Sequence, residues 1–563
     1  MTVQALPRWL DDLARQYHAG RTAVFLLYGN IHDLVWYENR PYPLREFLAQ
    51  VVFRRREVVL LYNRGTGLTF RDEKSRSDME AYLRQVGERF ESLRFTAELF
   101  PLLHRYFHHR LSEGCRLALI LEYGEMLVPN SGPYLANEER TALLYLLQWA
   151  QSPLFLRSDI TILLLAESLS EVHPKLTANP HISSISIPYP NAEVRRLFLE
   201  YLWRNKPNLS EKLKEGISLE ALTIALGGLT LVQIEKLIAE IAQSTTPWEE
   251  AQILERKKVL VEAQAGGLLE FMSTHLTLEA VAGHRAAKAY LRSIAQAIKN
   301  GHTSCIPMGF LITGPVGTGK TFLLRCFAGE IGVPMVQLKN FRSKWVGETE
   351  ANLERILALL EALAPIAVVI DEADTQLGQR ASEGDSGLNA RIFGRLASFM
   401  SDTRHRGRIL WFLITARPDL LPIDLKRQGR AEEHIPLFPP TTAEEKREVV
   451  TALARRLGMP NLEFPTSDTF WEELPTFSGA EWEAILTRAR FQATLAGKGE
   501  PTWADVMQAL NDFLPPSYPE EVAYMNYLAV LECTRRSLLP PAYQTLSREE
   551  LFRRLEALQA RLQ

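Results

Sequence analysis

Met308-Gly-Phe-Leu-Ile-Thr-Gly-Pro-Val-Gly-Thr-Gly-Lys-Thr-Phe322 is the stretch on which the reading of this chain turns. An apolar, strand-like run ends at Thr313. The loop Gly314, Pro315, Val316, Gly317, Thr318, Gly319, Lys320, Thr321 follows, and a helix-like run extends from Phe322 to Ile331. The pattern GxxxxGK[ST] between a strand and a helix is that of a phosphate-binding loop. Its glycines let backbone N–H groups turn onto phosphate oxygens, and the helix N-terminus adds the positive end of a dipole. Lys320 is placed to reach β- and γ-phosphates, and the Thr321 hydroxyl to hold Mg²⁺.

A second apolar run, Ala367-Val-Val-Ile-Asp-Glu-Ala-Asp374, ends in adjacent carboxylates 51 residues after Lys320. Asp371 is the expected Mg²⁺ partner, directly or through water. Glu372 is expected to orient and polarise an attacking water, a pairing that suits phosphoryl transfer.

With these two motifs in place, residues 276 to 513 resemble the AAA branch of the AAA+ ATPases. The resemblance implies an α/β P-loop module with a helical lid, ATP and Mg²⁺ as ligands, and assembly into a ring, a hexamer in that family. Ser343-Lys-Trp-Val-Gly-Glu-Thr-Glu350 is similar to the family's first pore loop, which assigns Lys344, Trp345 and Val346 to substrate grip. Leu425-Lys-Arg-Gln-Gly-Arg430 is similar to its arginine-finger segment, which assigns Arg427 and Arg430 to a neighbouring subunit's site. Phe477-Ser-Gly-Ala-Glu481 resembles the lid motif that approaches nucleotide through Gly479 and Ala480. One position departs from the pattern. The family's polar sensor is Asn in Thr-Asn-Arg-Pro, whereas Thr415-Ala-Arg-Pro418 carries Ala416. A methyl group cannot hydrogen-bond a phosphate or a water, so Thr415 or Arg417 would have to serve. ATP binding is therefore a firmer expectation than fast hydrolysis.

The first 245 residues contain no GxxxxGK[ST], yet they repeat landmarks of the second half. Gly65-Thr-Gly-Leu-Thr69 parallels Gly317-Thr-Gly-Lys-Thr321 at a spacing of 252 residues, Leu68 to Lys320. Glu122-Tyr123 parallels Asp371-Glu372 at 249, Ala166 parallels Thr415 at 249, and Ile187 parallels Ile435 at 248. Nearly constant spacing predicts two copies of one module. Residues 1–245 are then a degenerate α/β copy without a functional P-loop, serving as scaffold or partner-binding domain. In this alignment Phe25-Leu-Leu-Tyr-Gly-Asn-Ile-His-Asp33 falls opposite Val281-Ala-Gly-His284. The remaining boundaries are a linker helix in 246–275, the α/β core in 276–440, the lid in 441–513 and a helical extension in 514–563. This layout, with Gly384-Asp-Ser-Gly387 before Arg391-Ile-Phe-Gly394, resembles the cyanobacterial and plastid "hypothetical chloroplast reading frame" AAA proteins and their bacterial relatives.

Composition sets outer limits. The 563 residues suffice for several cores, and a formal charge of −3 supplies no basic field for nucleic acid. Four scattered cysteines form no CxxC pair, Asp11 and Asp12 interrupt any signal-like apolar run, and no stretch of 18 apolar residues exists. These features predict a cytoplasmic protein without a membrane span. The absence of HExxH argues against the membrane-protease branch. The expected function is a ring-forming Mg-ATP hydrolase that remodels or moves an unidentified protein partner. Two alternatives stand beside it, an ATP-gated binding scaffold with little hydrolysis and a nucleic-acid remodeller.

Overall fold

The computed structural model describes residues 6–20, 22–88, 95–131, 134–214, 216–339, 346–377, 388–515 and 518–562. They divide into two units, Met1–Gly266 with Phe341–Leu363, and Gly267–Asn340 with Ala364–Gln563. Among the described residues no helix is long and apolar enough to cross a membrane.

The first unit is built on β1 (Val24–Gly29), β2 (Leu34–Tyr37), β3 (Arg40–Pro43), β4 (Val58–Asn63), β5 (Gly67–Phe70), β6 (Leu117–Leu121), β7 (Ile160–Ala166) and β8 (Ile182–Ile187). Six of these form a sheet in the order β5-β4-β6-β7-β1-β8, and β2 and β3 form a separate hairpin. All neighbours in the large sheet are parallel except the edge pair β4–β5. The central strands are apolar on both faces, as a sheet covered on both sides requires. Val24, Leu26, Leu60 and Leu119 enter one core, while Phe25, Leu27, Leu61 and Ile120 enter the other. Helices Ala192–Asn205, Leu219–Ala225 and Leu231–Gln243 follow the sheet. The helix Glu250–Gln264, expected as a linker, groups with this unit. It buries Ile253 and Val261, and Arg256 pairs with Glu240 at 2.7 Å. Helix Val346–Leu363 groups here as well: Ser168 Oγ donates to Glu354 Oε2 at 2.5 Å, and Arg355 lies 3.5 Å from Glu167.

The second unit carries β9 (Leu269–Phe271), β10 (Gly309–Thr313), β11 (Met335–Leu338), β12 (Ile366–Ile370), β13 (Ile409–Thr415) and β14 (Glu433–Pro436). Their order is β14-β10-β13-β12-β11-β9, parallel except for β9 at the edge. Beyond the sheet, helices Ala443–Arg456, Asp468–Glu473, Gly479–Leu495 and Trp503–Asn511 enclose a core of their own around Trp471 and Trp482. Helices Pro519–Glu532 and Arg548–Leu562 pack on each other around Leu528, Leu551 and Leu555.

Numbered along the chain, the five parallel strands of each sheet run fifth, first, fourth, third, second. The duplication read from spacing is thus present in topology, but three of its landmarks shift. Gly65 and Gly67 sit in the tight β4–β5 hairpin, where Asn63 pairs with Gly67 and Leu68 with Tyr62 at the sheet edge. The counterpart of β10 is β1, because each lies between the fourth and fifth strands of its sheet. Gly29 is therefore the counterpart of Gly314. Gly29 has φ 98° and a Cβ there would lie 2.8 Å from the Ile187 carbonyl oxygen; Gly314 has φ 138° and a Cβ would collide with the Leu437 carbonyl oxygen. Glu122-Tyr123 and Ala166 keep their counterparts Asp371-Glu372 and Thr415, whereas Phe25–Asp33, which holds β1, falls opposite β10 rather than Val281–His284, and Ile187, beside Gly29, falls opposite Leu437, beside Gly314, rather than Ile435. Tyr123 and Glu372, each just past the third strand, share a left-handed backbone at φ 57° and 48°.

Candidate functional site

β10 ends at Thr313 and the chain turns over Gly314 to Gly319 before helix Lys320–Ala328 begins. A side chain at Gly314 would strike the Leu437 carbonyl just past β14, so only glycine permits the turn. Thr318 Oγ1 donates to the Pro315 carbonyl at 2.9 Å and closes the loop internally. Lys320 Nζ donates to the carbonyls of Gly314 and Pro315, both at 2.8 Å. Burial depresses its pKa to about 8 against the pull of Asp371 and Asp374. Val316 stands at the exposed tip of the loop.

The end of β12 brings its carboxylates to this loop. Thr321 Oγ1 donates to Asp371 Oδ2 at 2.8 Å, and the Glu372 amide donates to Asp371 Oδ1 at 2.9 Å. A hydroxyl and a carboxylate oxygen meeting at one point are hard donors of the kind Mg²⁺ selects. Glu372 itself stands in a left-handed turn at φ 48°.

At the end of β13 the Thr415 hydroxyl is already engaged. It donates to Asp374 Oδ1 at 2.6 Å and accepts the Arg417 amide at 2.9 Å. Arg417 itself pairs with Asp419 at 2.8 Å. Ala416 adds no polar group, so the sensor position has no uncommitted donor of the type the resemblance led one to expect.

The lid meets the loop directly. The Ala480 amide donates to the Gly317 carbonyl at 3.3 Å, and a Cβ on Gly317 would lie 2.8 Å from Ser478 Oγ. Ser478 caps helix Gly479–Leu495 through a capping box with Glu481, which fixes where Gly479 and Ala480 point. Between core and lid lies a cavity of about 940 Å³, lined by Gly317 to Phe322, Val281 to Ala287, Arg455, Arg456, Gly479 and Ala480. The Arg456 guanidinium sits 5.2 Å from the centre of the Phe322 ring and pairs with Glu483 at 2.6 Å.

Arg427 and Arg430 part company. Arg427 is more than half exposed and reaches Asp424 at 3.2 Å. Arg430 is buried; its Nη1 donates to the Asp424 carbonyl at 2.6 Å, and burial, with Arg427 adding to it, lowers its pKa. Lys344 and Trp345 lie outside the described residues, as does Gly384-Asp-Ser-Gly387, and Val346 opens helix Val346–Leu363.

Two contributors escaped sequence reasoning. His284, in a left-handed turn at φ 49°, places Nε2 3.0 Å from the Thr318 carbonyl and so holds the loop from outside it. Gly283-His284 before a helix was the available signal for that turn. Leu538 to Pro541, in the C-terminal extension, also line the cavity, and no local pattern marks them.

With this geometry in view, comparisons with known proteins place it. Residues 2–188 match the family described as "AAA+ chaperone, N-terminal Rossmann-like domain", and residues 310–438 match "ATPase family associated with various cellular activities (AAA)". The chain is 24% identical over 462 residues to the cell division cycle protein 48 homolog of Archaeoglobus fulgidus, covering 77% of this chain and 62% of that protein. It is 26% identical to the uncharacterized AAA domain-containing protein ycf46 of Gracilaria tenuistipitata var. liui, over 63% of this chain and 72% of the relative. It is 31% identical to ATP-dependent zinc metalloprotease FtsH 2 of Salinibacter ruber, over 41% of this chain and 35% of that protein. The chain thus spans under two thirds of the length of the first and third of these relatives. By strand order, loop geometry and family match alike, the chain is built from AAA+ ATPase family domains.

Proposed function

We propose that the second unit binds and hydrolyses Mg-ATP and that copies of the chain assemble into a ring, a hexamer by analogy, that remodels a protein partner in the cytoplasm. The observation carrying this reading is that Lys320 and Thr321 line the cavity with Gly317 to Gly319, and that Thr321 bonds Asp371 beside them. Phosphate oxygens would take the Lys320 bonds now made to Gly314 and Pro315, and the loop amides would complete the cradle. Thr321 and Asp371 would hold Mg²⁺, which supplies charge neutralisation across the β- and γ-phosphates. Glu372 would accept a proton from the attacking water, and Gly479 and Ala480 would close the lid side. Arg427, exposed, is assigned as the finger that completes a neighbour's site, while buried Arg430 supports the segment that carries it. Lys344, Trp345 and Val346 remain the candidates for gripping substrate, and Thr415 the sensor-region residue.

The test is ATPase rate per subunit against protein concentration, for wild type and Arg427→Ala. A shared-site ring gives a rate that climbs with concentration and falls on the order of 10³-fold in the mutant. A flat, negligible rate in both, with ATP bound, would instead support an ATP-gated scaffold. That second reading draws on one observation, the engagement of the Thr415 hydroxyl by Asp374 and Arg417 beside Ala416. Nucleic-acid remodelling has no comparable support, and salt-insensitive failure to bind DNA or RNA would dispose of it.

A further inference from the structure

Helix Pro519–Glu532 runs into a segment, Glu532 to Pro541, that touches three parts of the second unit. At its start the Glu532 carboxylate accepts a hydrogen bond from Lys426 Nζ, with both side chains mostly buried. Lys426 Nζ also donates to the Pro418 carbonyl at 2.9 Å. Lys426 ends the short helix Ile423–Lys426, and the next residue is Arg427.

In its middle the segment holds the edge of the sheet. The His434 amide donates to Thr534 Oγ1 at 3.0 Å, and His434 Nδ1 lies 2.8 Å from the Glu532 carbonyl. Arg535 forks onto Glu433 at 2.8 and 2.7 Å, and its guanidinium lies 4.5 Å from the centre of the Tyr290 ring. Tyr290 belongs to helix Arg285–Lys299, which begins immediately after His284. At its far end Leu538 is buried in the core, and Leu538 to Pro541 wall the cavity.

Few residues separate the cavity wall from the Lys426 ion pair, and Pro540 and Pro541 stiffen the far end. A mostly buried ion pair is costly to break singly, so its members move together. We propose that residues 532–541 form a strap tying occupancy of the cavity to the placement of Arg427, with Glu532 a positioning residue that acts through Lys426. The strap would make one subunit's nucleotide state felt at the site its finger serves. This rests on the reading of the cavity as an ATP site.

Cys533 lies in the strap and reports on it. Of the four thiols, Cys115 and Cys326 are buried, Cys305 is exposed and Cys533 is intermediate. In full-length Cys305→Ser protein, iodoacetamide labelling of Cys533 would be timed with and without Mg-ATP, while a fluorescent ATP analogue reports binding separately. ATP pinning the strap slows labelling about three-fold or more. ATP bound with labelling unchanged overturns the strap alone, whereas no ATP binding overturns the ATP-site reading and the strap with it.

Glu532→Gln and Glu532→Asp test the positioning role. The expected result is kcat about ten-fold lower in Glu532→Gln with ATP affinity kept within about two-fold, and most of the rate retained in Glu532→Asp. Equal losses in both variants, no loss in either, or a loss explained by weaker ATP binding would overturn it.

Discussion

His284 and Lys320 hold the same short loop at different points, one through the Thr318 carbonyl and the other through Gly314 and Pro315. Donation to a carbonyl requires the proton on Nε2, which the neutral ring supplies in its Nε2–H tautomer. Burial keeps the His284 pKa below its usual value; the Thr318 hydrogen bond, Glu445 and Glu448 oppose that shift and Lys288 reinforces it. Below about pH 6.5 the unfolded chain therefore takes up a proton that the folded chain resists, and stability falls with pH. Its contribution is complete above that value. Melting temperature followed from pH 7.5 to 5.5 should drop more steeply in wild type than in His284→Gln, and parallel slopes would refute the assignment. Chemistry at the same site separates by residue as well. Lys320→Ala should abolish binding of a fluorescent ATP analogue, whereas Glu372→Gln should bind it normally and turn over at least roughly 10²-fold more slowly. Loss of binding in both would mean that Glu372 shapes the pocket rather than acting on water.

Strands and their ends show where local sequence suffices and where it does not. The phosphate loop, the Asp371-Glu372 pair and the Gly479-Ala480 turn could be read because each needs particular residue types at fixed spacing. β1 was harder to place, because Gly29-Asn-Ile-His-Asp33 keeps only the first glycine of the loop. Its identity rests on lying between β7 and β8, a fact of topology rather than of local pattern. The Gly65-Thr-Gly-Leu-Thr69 segment misled because a hairpin turn and a phosphate loop both select glycine. Leu538 to Pro541 became part of the cavity only by a return of the chain over long sequence distance. If β1 is the loop strand of the first copy, Gly29 carries a backbone constraint of the same kind as that of Gly314. Gly29→Ala should cost ~1–3 kcal/mol locally, because its φ of 98° and the Ile187 carbonyl both exclude a side chain. Hydrogen exchange should then quicken at β1 and β8 and stay unchanged at β10. Unchanged exchange at β8 would remove the structural basis for that equivalence.

Across the whole molecule, the two units keep one topology and differ in chemistry. The first lacks a lysine after its strand turn and has Tyr123 where the second has Glu372; among the described residues the grouping of Lys320, Thr321 and Asp371 belongs to the second. On the proposed function, a single chain would hold one half-site, the loop with its carboxylates, and one finger, the exposed Arg427. These two parts can be broken in different subunits. Arg427→Ala keeps an intact loop and Glu372 but offers its neighbour no finger. Glu372→Gln offers a finger but cannot activate water. Each variant alone should be nearly inactive. In a random equal mixture, a sound loop faces a sound finger at about a quarter of the interfaces, so roughly a quarter of the wild-type rate per subunit should return if sites fire independently. Recovery well below that figure would mean that sites must fire in concert around the ring. No recovery, with mixed assembly verified by differently tagged subunits, would mean that Arg427 acts within its own chain, and the ring would lose its catalytic purpose.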